Sequence, residues 1–210
     1  MRVAVLSDIH GNLPALESVA AEVRDADAVI CLGDVVNYGP WGDECLELLQ
    51  ALPHLTLLEG NHERLFLGRE PIAGERPLVQ QFFHAAFPRF TRRDLIEALP
   101  AEVHVGGFLF CHTLEHRHID RDTDIVPASN AFIGHTHHAF HLERAGKHLV
   151  NPGSVGQNRA RLDQACYAFF DTDTHAAELR HVSYAADLLL VEMTRLEYPA
   201  ECLAYYRSKL

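Results

Sequence analysis

Five short apolar runs in this chain each stop at side chains that offer nitrogen or oxygen donors, and that repeated ending limits the possible folds more than any other feature. Val3 to Leu6 runs into Ser7-Asp8-Ile9-His10, and Ala28 to Leu32 into Gly33-Asp34. Leu55 to Leu58 precedes Glu59-Gly60-Asn61-His62-Glu63, Phe108 to Phe110 precedes Cys111-His112, and Ala131 to Ile133 precedes Gly134-His135-Thr136-His137. Runs of this length read as buried strands, and open α/β sheets bind ligands in the crevice outside the carboxyl ends of their strands. The expectation is that these ends converge on a two-metal site with Asp34 in its middle, since a carboxylate has two oxygens and can hold two ions.

The elements between the runs fit an α/β chain. Arg2 to Ser7 reads as a strand, and Leu13, Leu16, Val19, Ala20 and Val23 give a helix over Leu13 to Arg24 its apolar face. A second helix is expected from Asp43 to Leu52, with Asp43 as its N-cap and Pro53 as its stop, and His54 to Leu58 is a third strand. From Arg64 to Leu99 no strand is evident, and Val79, Phe82, Phe83, Ala86 and Phe87 recur at helical spacing, so residues 64–99 read as a helical insertion with its aromatics in the core. Short strands follow at Glu102 to Val105, Phe108 to Cys111, Ala131 to Gly134, Ala139 to Glu143 and His148 to Asn151, and Cys166 to Asp171 and Ala177 to Val182 continue the series. That series is expected to form a second sheet, closed by helices near Ala185 to Arg195 and Pro199 to Lys209. The absence of a repeat or linker favours one domain over residues 1–210.

Composition sets outer limits. With 210 residues and 48% hydrophobic content, the chain can bury a full core. The longest apolar runs fall short of the roughly 18 residues a membrane helix needs, and no basic-then-apolar leader opens the sequence, so a cytoplasmic protein without membrane partners is expected. A net charge of −11 argues against a partner with a nucleic-acid backbone, though not against a small phosphate ester, because bound dications invert the local field. Five cysteines without close pairing or zinc-finger spacing read as reduced, buried side chains. Of the 15 histidines, those at 84, 104, 116, 118, 148, 175 and 181 fit no ligand spacing.

Each donor motif taken alone has an ordinary structural explanation. Asp8 and His10, two apart on the extended end of a strand, point to one side and could share an ion, but Asp8 could equally cap the next helix. Asp34 could be a turn carboxylate, Asn61 a helix cap and His112 a satisfied core histidine. His135 and His137 offer two imidazoles from one segment. The order and placement of all five motifs give them their weight.

That order resembles the calcineurin-like metallophosphoesterases, whose pattern of D-x-H, G-D, G-N-H-E, H and G-H-x-H is matched from Asp8 to His137. Asn151-Pro152-Gly153-Ser154 resembles a turn of the small bacterial and archaeal phosphodiesterase-like branch. The resemblance implies a two-sheet β-sandwich flanked by helices, the four-layer metallo-dependent phosphatase fold. Asp8, His10 and His137 would hold one metal, Asn61, His112 and His135 the other, and Asp34 would bridge. His62 would be the general acid and Glu63 would orient its loop. Two divalent ions are implied as cofactors, with Mn, Fe or Zn suiting donors that lack thiolate. The implied activity is hydrolysis of phosphate esters, foremost of diesters; the alternatives are a phosphomonoesterase or protein phosphatase, and a non-catalytic protein-binding scaffold of the same fold.

Relatives that dephosphorylate proteins or cleave dinucleoside tetraphosphates follow G-D with aspartate, arginine and glycine, where this chain has Asn37, Tyr38 and Gly39. Asn37 could hydrogen-bond His62 without a charge, and Tyr38 cannot grip phosphate as an arginine fork does. Arg159 and Arg161 are expected near the pocket rim, with walls from the loops near Tyr38, Trp41 and the insertion. The aliphatic C-terminal helices could support a homodimer.

Overall fold

A computed structural model describes residues 1–210. Its first sheet has the order β10-β9-β1-β2-β3, with β1 (Arg2–Leu6), β2 (Ala28–Cys31) and β3 (Thr56–Leu57) parallel, β9 (Gln164–Asp171) antiparallel to β1, and β10 (Ala177–Ser183) antiparallel to β9. The second sheet has the order β4-β5-β6-β8-β7, built from β4 (Glu102–Val105), β5 (Phe108–Cys111), β6 (Ala131–Phe132), β7 (Phe140–Arg144) and β8 (Lys147–Asn151). The expected two-sheet, helix-flanked α/β architecture is therefore present.

Side-chain alternation along β1 explains the layers. Val3 and Val5 point between the sheets and pack with Ile30, Phe108, Phe110, Phe132 and Phe170. Ala4 and Leu6 point outward, against α1 (Leu13–Glu22) and α2 (Gly42–Gln50), through Leu16, Val19, Leu46 and Leu49. The outer face of the second sheet packs on the segment between β5 and β6, where Leu114, Ile119 and Ile125 meet Leu142 and Leu149.

Residues 64–99 are helical as expected. They hold the end of α3 (Asn61–Phe66), then α4 (Pro77–Ala86) and three 3-10 turns. Phe66 sits edge-on to Phe83, Phe87 and Phe90 at 5.1 to 5.4 Å, so these rings are core. Phe82 instead joins α5 (Asp187–Arg195) and α6 (Ala200–Arg207) in a separate cluster with Leu189, Met193 and Tyr206.

Two expectations are corrected. The strands over 166–171 and 177–182 do not extend the second sheet: β9 pairs with β1, Val3 opposite Phe170, and carries β10 with it. Asp43 does not cap α2, whose N-cap is Trp41; the Asp43 carboxylate instead accepts the backbone N–H groups of Thr91 and Arg92, tying the end of the insertion to α2.

Candidate metal centre

All the strand-end motifs come together at one end of the sandwich, and the backbone delivers them in an unusual way. Asp8, His10, Asp34, Asn37, Tyr38, His135 and His137 have φ between +51° and +72°. Left-handed backbone costs a residue with a side chain about 1 to 2 kcal/mol, and such conformers gather at functional sites. Asp8 and His10 are thus not on an extended strand end; tight left-handed turns, not strand alternation, bring them to one side. Close glycines make room for this. A Cβ on Gly60 would run into the Asp34 carboxylate and main chain, and one on Gly134 would strike Ser7 and Asp8.

Around Asp8, the Nε2 atoms of His10 and His137 face each other at 3.1 Å and lie 3.8 and 3.2 Å from Asp8 Oδ1. The Nδ1–H of His10 is directed to the Val36 carbonyl at 3.2 Å and that of His137 to the Gln157 carbonyl at 2.9 Å. Those bonds leave bare Nε2 lone pairs pointing at one spot. Asp8 Oδ2 accepts the His135 N–H at 3.1 Å, whereas Oδ1, fully buried, accepts no hydrogen bond. Two lone pairs and an orphaned carboxylate oxygen converging in a buried site fit a cation.

The other set centres on Asn61, the first residue of α3 and not its cap. Its Oδ1 lies 3.1 Å from His112 Nε2 and 3.0 Å from His135 Nδ1. His112 Nδ1 is directed to the Leu32 carbonyl at 3.1 Å. Asp34 stands between the sets through one oxygen only. Its Oδ1 accepts the His62 N–H at 2.8 Å, while Oδ2 lies 3.9 Å from His10, 3.9 Å from His62 and 3.1 Å from His112.

Electrostatics follow from burial and crowding. Burial opposes charge on Asp8 and Asp34, yet His137 beside Asp8 and His112 beside Asp34 hold both carboxyls well below the usual range. His112 is raised to about 9: burial works against its charge, and the Asp34 carboxylate outweighs it. Burial lowers His10 and His62, and burial with the His112 charge takes His135 down to about 4.

Glu63 orients the loop as expected. Its oxygens accept the backbone N–H groups of Asp34, Val35, Val36 and Gly60 at 2.7 to 3.2 Å. Burial and Asp34 push its pKa up to about 7, but the four donors leave no acceptor for a carboxyl proton and favour the carboxylate. Asn37 lies against His62, Nδ2 to Nδ1 at 2.8 Å.

A cavity of about 260 Å³ opens over the centre, with Asp34, Asn61, His62, His135 and His137 on its floor and Tyr38 and Arg159 in its walls. Arg161 is not there; it is exposed and paired with Asp163 at 2.7 Å. Trp41 packs into the core and does not line the cavity. Glu75, Arg76, Leu78 and Val79 do, from the insertion expected to form part of the wall, and so do His118 and Tyr205, which no expectation covered. Only His118 carried a readable signal, a histidine and a carboxylate two residues apart, and it pairs with Asp120 at 3.0 Å.

Two donor sets sharing one carboxylate, at the strand ends of a two-sheet sandwich, form an arrangement suited to metal-dependent hydrolysis. The chain belongs to the calcineurin-like phosphoesterase superfamily, whose domain it matches over residues 1–175, and it is a phosphoric ester hydrolase. It is 30% identical over 213 residues to an uncharacterized protein of Methanocaldococcus jannaschii, with 87% of each chain covered. A metallophosphoesterase from Sphaerobacter thermophilus has a TM-score of 0.80 at 25% identity, over 100% of this chain and 99% of that one. A hypothetical protein from Pyrococcus horikoshii reaches a TM-score of 0.83 at 17% identity, over 98% and 97% of the two chains, and shares the fold. No helix is long and apolar enough to cross a membrane.

Proposed function

We propose that this chain is a phosphodiesterase that works with two divalent metal ions, one held by Asp8, His10 and His137, the other by Asn61, His112 and His135, with Asp34 Oδ2 between them. The observation that carries this reading is the pair of donor sets meeting on a single buried carboxylate oxygen, with Asp8 Oδ1 left without a hydrogen bond. When bound, such ions supply Lewis acidity toward phosphate oxygens and a water of lowered pKa as nucleophile.

The chain's own groups do the rest. His62 Nε2–H faces the cavity and donates a hydrogen bond to the leaving oxygen, which takes its proton from solvent, while Asn37 fixes the ring from its other nitrogen. Tyr38 stands where related phosphatases place an arginine, and it cannot form an arginine's bidentate grip on the terminal oxygens of a monoester.

The test is hydrolysis of bis-p-nitrophenyl phosphate against p-nitrophenyl phosphate, with manganese, iron or zinc added. The diester should be preferred, and Asp34→Asn should lose bound metal and turnover together. Preference for the monoester, or an Asp34→Asn protein that keeps both metal and rate, would overturn the reading.

A further inference from the structure

The cavity wall above the metal centre is chemically divided. One side is apolar and aromatic: Tyr38 sits edge-on to His62 at 5.2 Å and against Phe82 at 4.7 Å, and Phe82 in turn braces Tyr205 at 6.0 Å. Leu78 and Val79, from the first turn of α4, complete that side. Glu75 and Arg76, just before α4, line the cavity beside these apolar groups. The wall is assembled from the insertion and from α6, which lies beyond the residues matched to the family.

Facing the phenols is Arg159. It lines the same cavity as Tyr38 and Tyr205. Arg161, two residues on, is neutralised by Asp163, whereas Arg159 lines the cavity and forms no ion pair. A guanidinium without a carboxylate partner in a cavity wall can hold a phosphate oxygen through its terminal N–H groups. The cavity, about 260 Å³, is below the roughly 300 to 1,000 Å³ of drug-sized ligand pockets, so it suits one small ring and not a peptide or a folded surface.

We propose that Arg159 and the Tyr38–Leu78–Val79–Tyr205 wall form a specificity subsite, which takes phosphate esters bearing a planar aromatic group. The guanidinium holds a non-bridging phosphate oxygen, and the ring of the ester lies along the tyrosines. This rests on the phosphoesterase reading but goes beyond it, because it names what the ester carries.

Phosphonates, whose carbon–phosphorus bond resists hydrolysis, separate recognition from turnover. Calorimetric titration of the manganese-loaded protein should show benzylphosphonate binding about tenfold more tightly than methylphosphonate, with cyclohexylmethylphosphonate clearly weaker than benzylphosphonate. Tyr205→Leu, which keeps apolar volume, should bring benzylphosphonate to within about twofold of methylphosphonate while the melting temperature holds. Tyr205→Phe should retain the preference. Arg159→Ala should weaken all three ligands by about tenfold, and Arg159→Lys should recover only part of that. Equal affinity for benzyl- and methylphosphonate would overturn the subsite, as would cyclohexylmethylphosphonate binding as tightly as benzylphosphonate, or an Arg159→Ala protein with undiminished methylphosphonate binding. Hydrolysis of bis-p-nitrophenyl phosphate, measured separately, reports on the phosphodiesterase reading itself.

Discussion

His62 is held so that the position of its proton is decided. Asn37 Oδ1 accepts the Tyr38 N–H at 2.8 Å, which turns the Asn37 amide nitrogen toward His62 Nδ1. Nδ1 is then the acceptor and the proton resides on Nε2, the atom that faces Asp34 and the cavity. His62→Ala should keep both metals and lose about 100-fold or more in rate. A variant that bound less metal yet turned over normally would show that this imidazole is a ligand and not a hydrogen-bond donor. His112 gives a second prediction. Its pKa of about 9 in the metal-free protein means that it carries a proton at neutral pH, which a cation must displace. Metal uptake at pH 7 should release a proton, and apparent affinity should rise with pH up to about 9 and then level off. Titrations in buffers of different ionisation enthalpy check this; heats that do not depend on the buffer would contradict it.

Short elements do the positioning. The six-residue helix α3 carries Asn61 and His62 into the site and Glu63 back under the Asp34 loop, so one turn of helix positions all three side chains. Glu63→Gln would put an amide NH₂ against backbone N–H groups in a buried site. A loss of about 2 to 4 kcal/mol in stability is expected, read from urea unfolding, together with weaker metal retention; an unchanged midpoint would show the four bonds to be dispensable. Much of this layer was legible. The apolar runs and their donor endings located the strands, and the Asn61-His62-Glu63 run marked the turn that reaches the site. Asp8 and His10 share a side through left-handed turns and not strand alternation, and left-handed φ values are not written into a D-x-H pattern. Asp43 looked like a cap from its type and place, but its partners, Thr91 and Arg92, lie far away in the sequence.

The molecule as a whole is less readable than its parts. The strand character of Cys166 to Asp171 is plain in the sequence, but its pairing with β1 depends on which sheet edge is open after folding. The same holds for the cavity wall: Tyr205, near the C-terminus, and Leu78, in the insertion, meet over the centre only because α6 and α4 share a core through Phe82 and Tyr206. What the fold accomplishes is to draw six donor residues, from Asp8 to His137, onto two sides of the Asp34 carboxylate. Anomalous diffraction from crystals of the manganese-loaded protein tests that most directly. Two peaks should appear, one among Asp8, His10 and His137 and the other among Asn61, His112 and His135, with Asp34 Oδ2 bound to both. A single peak, or an Asp34 that touches neither ion, would contradict the account.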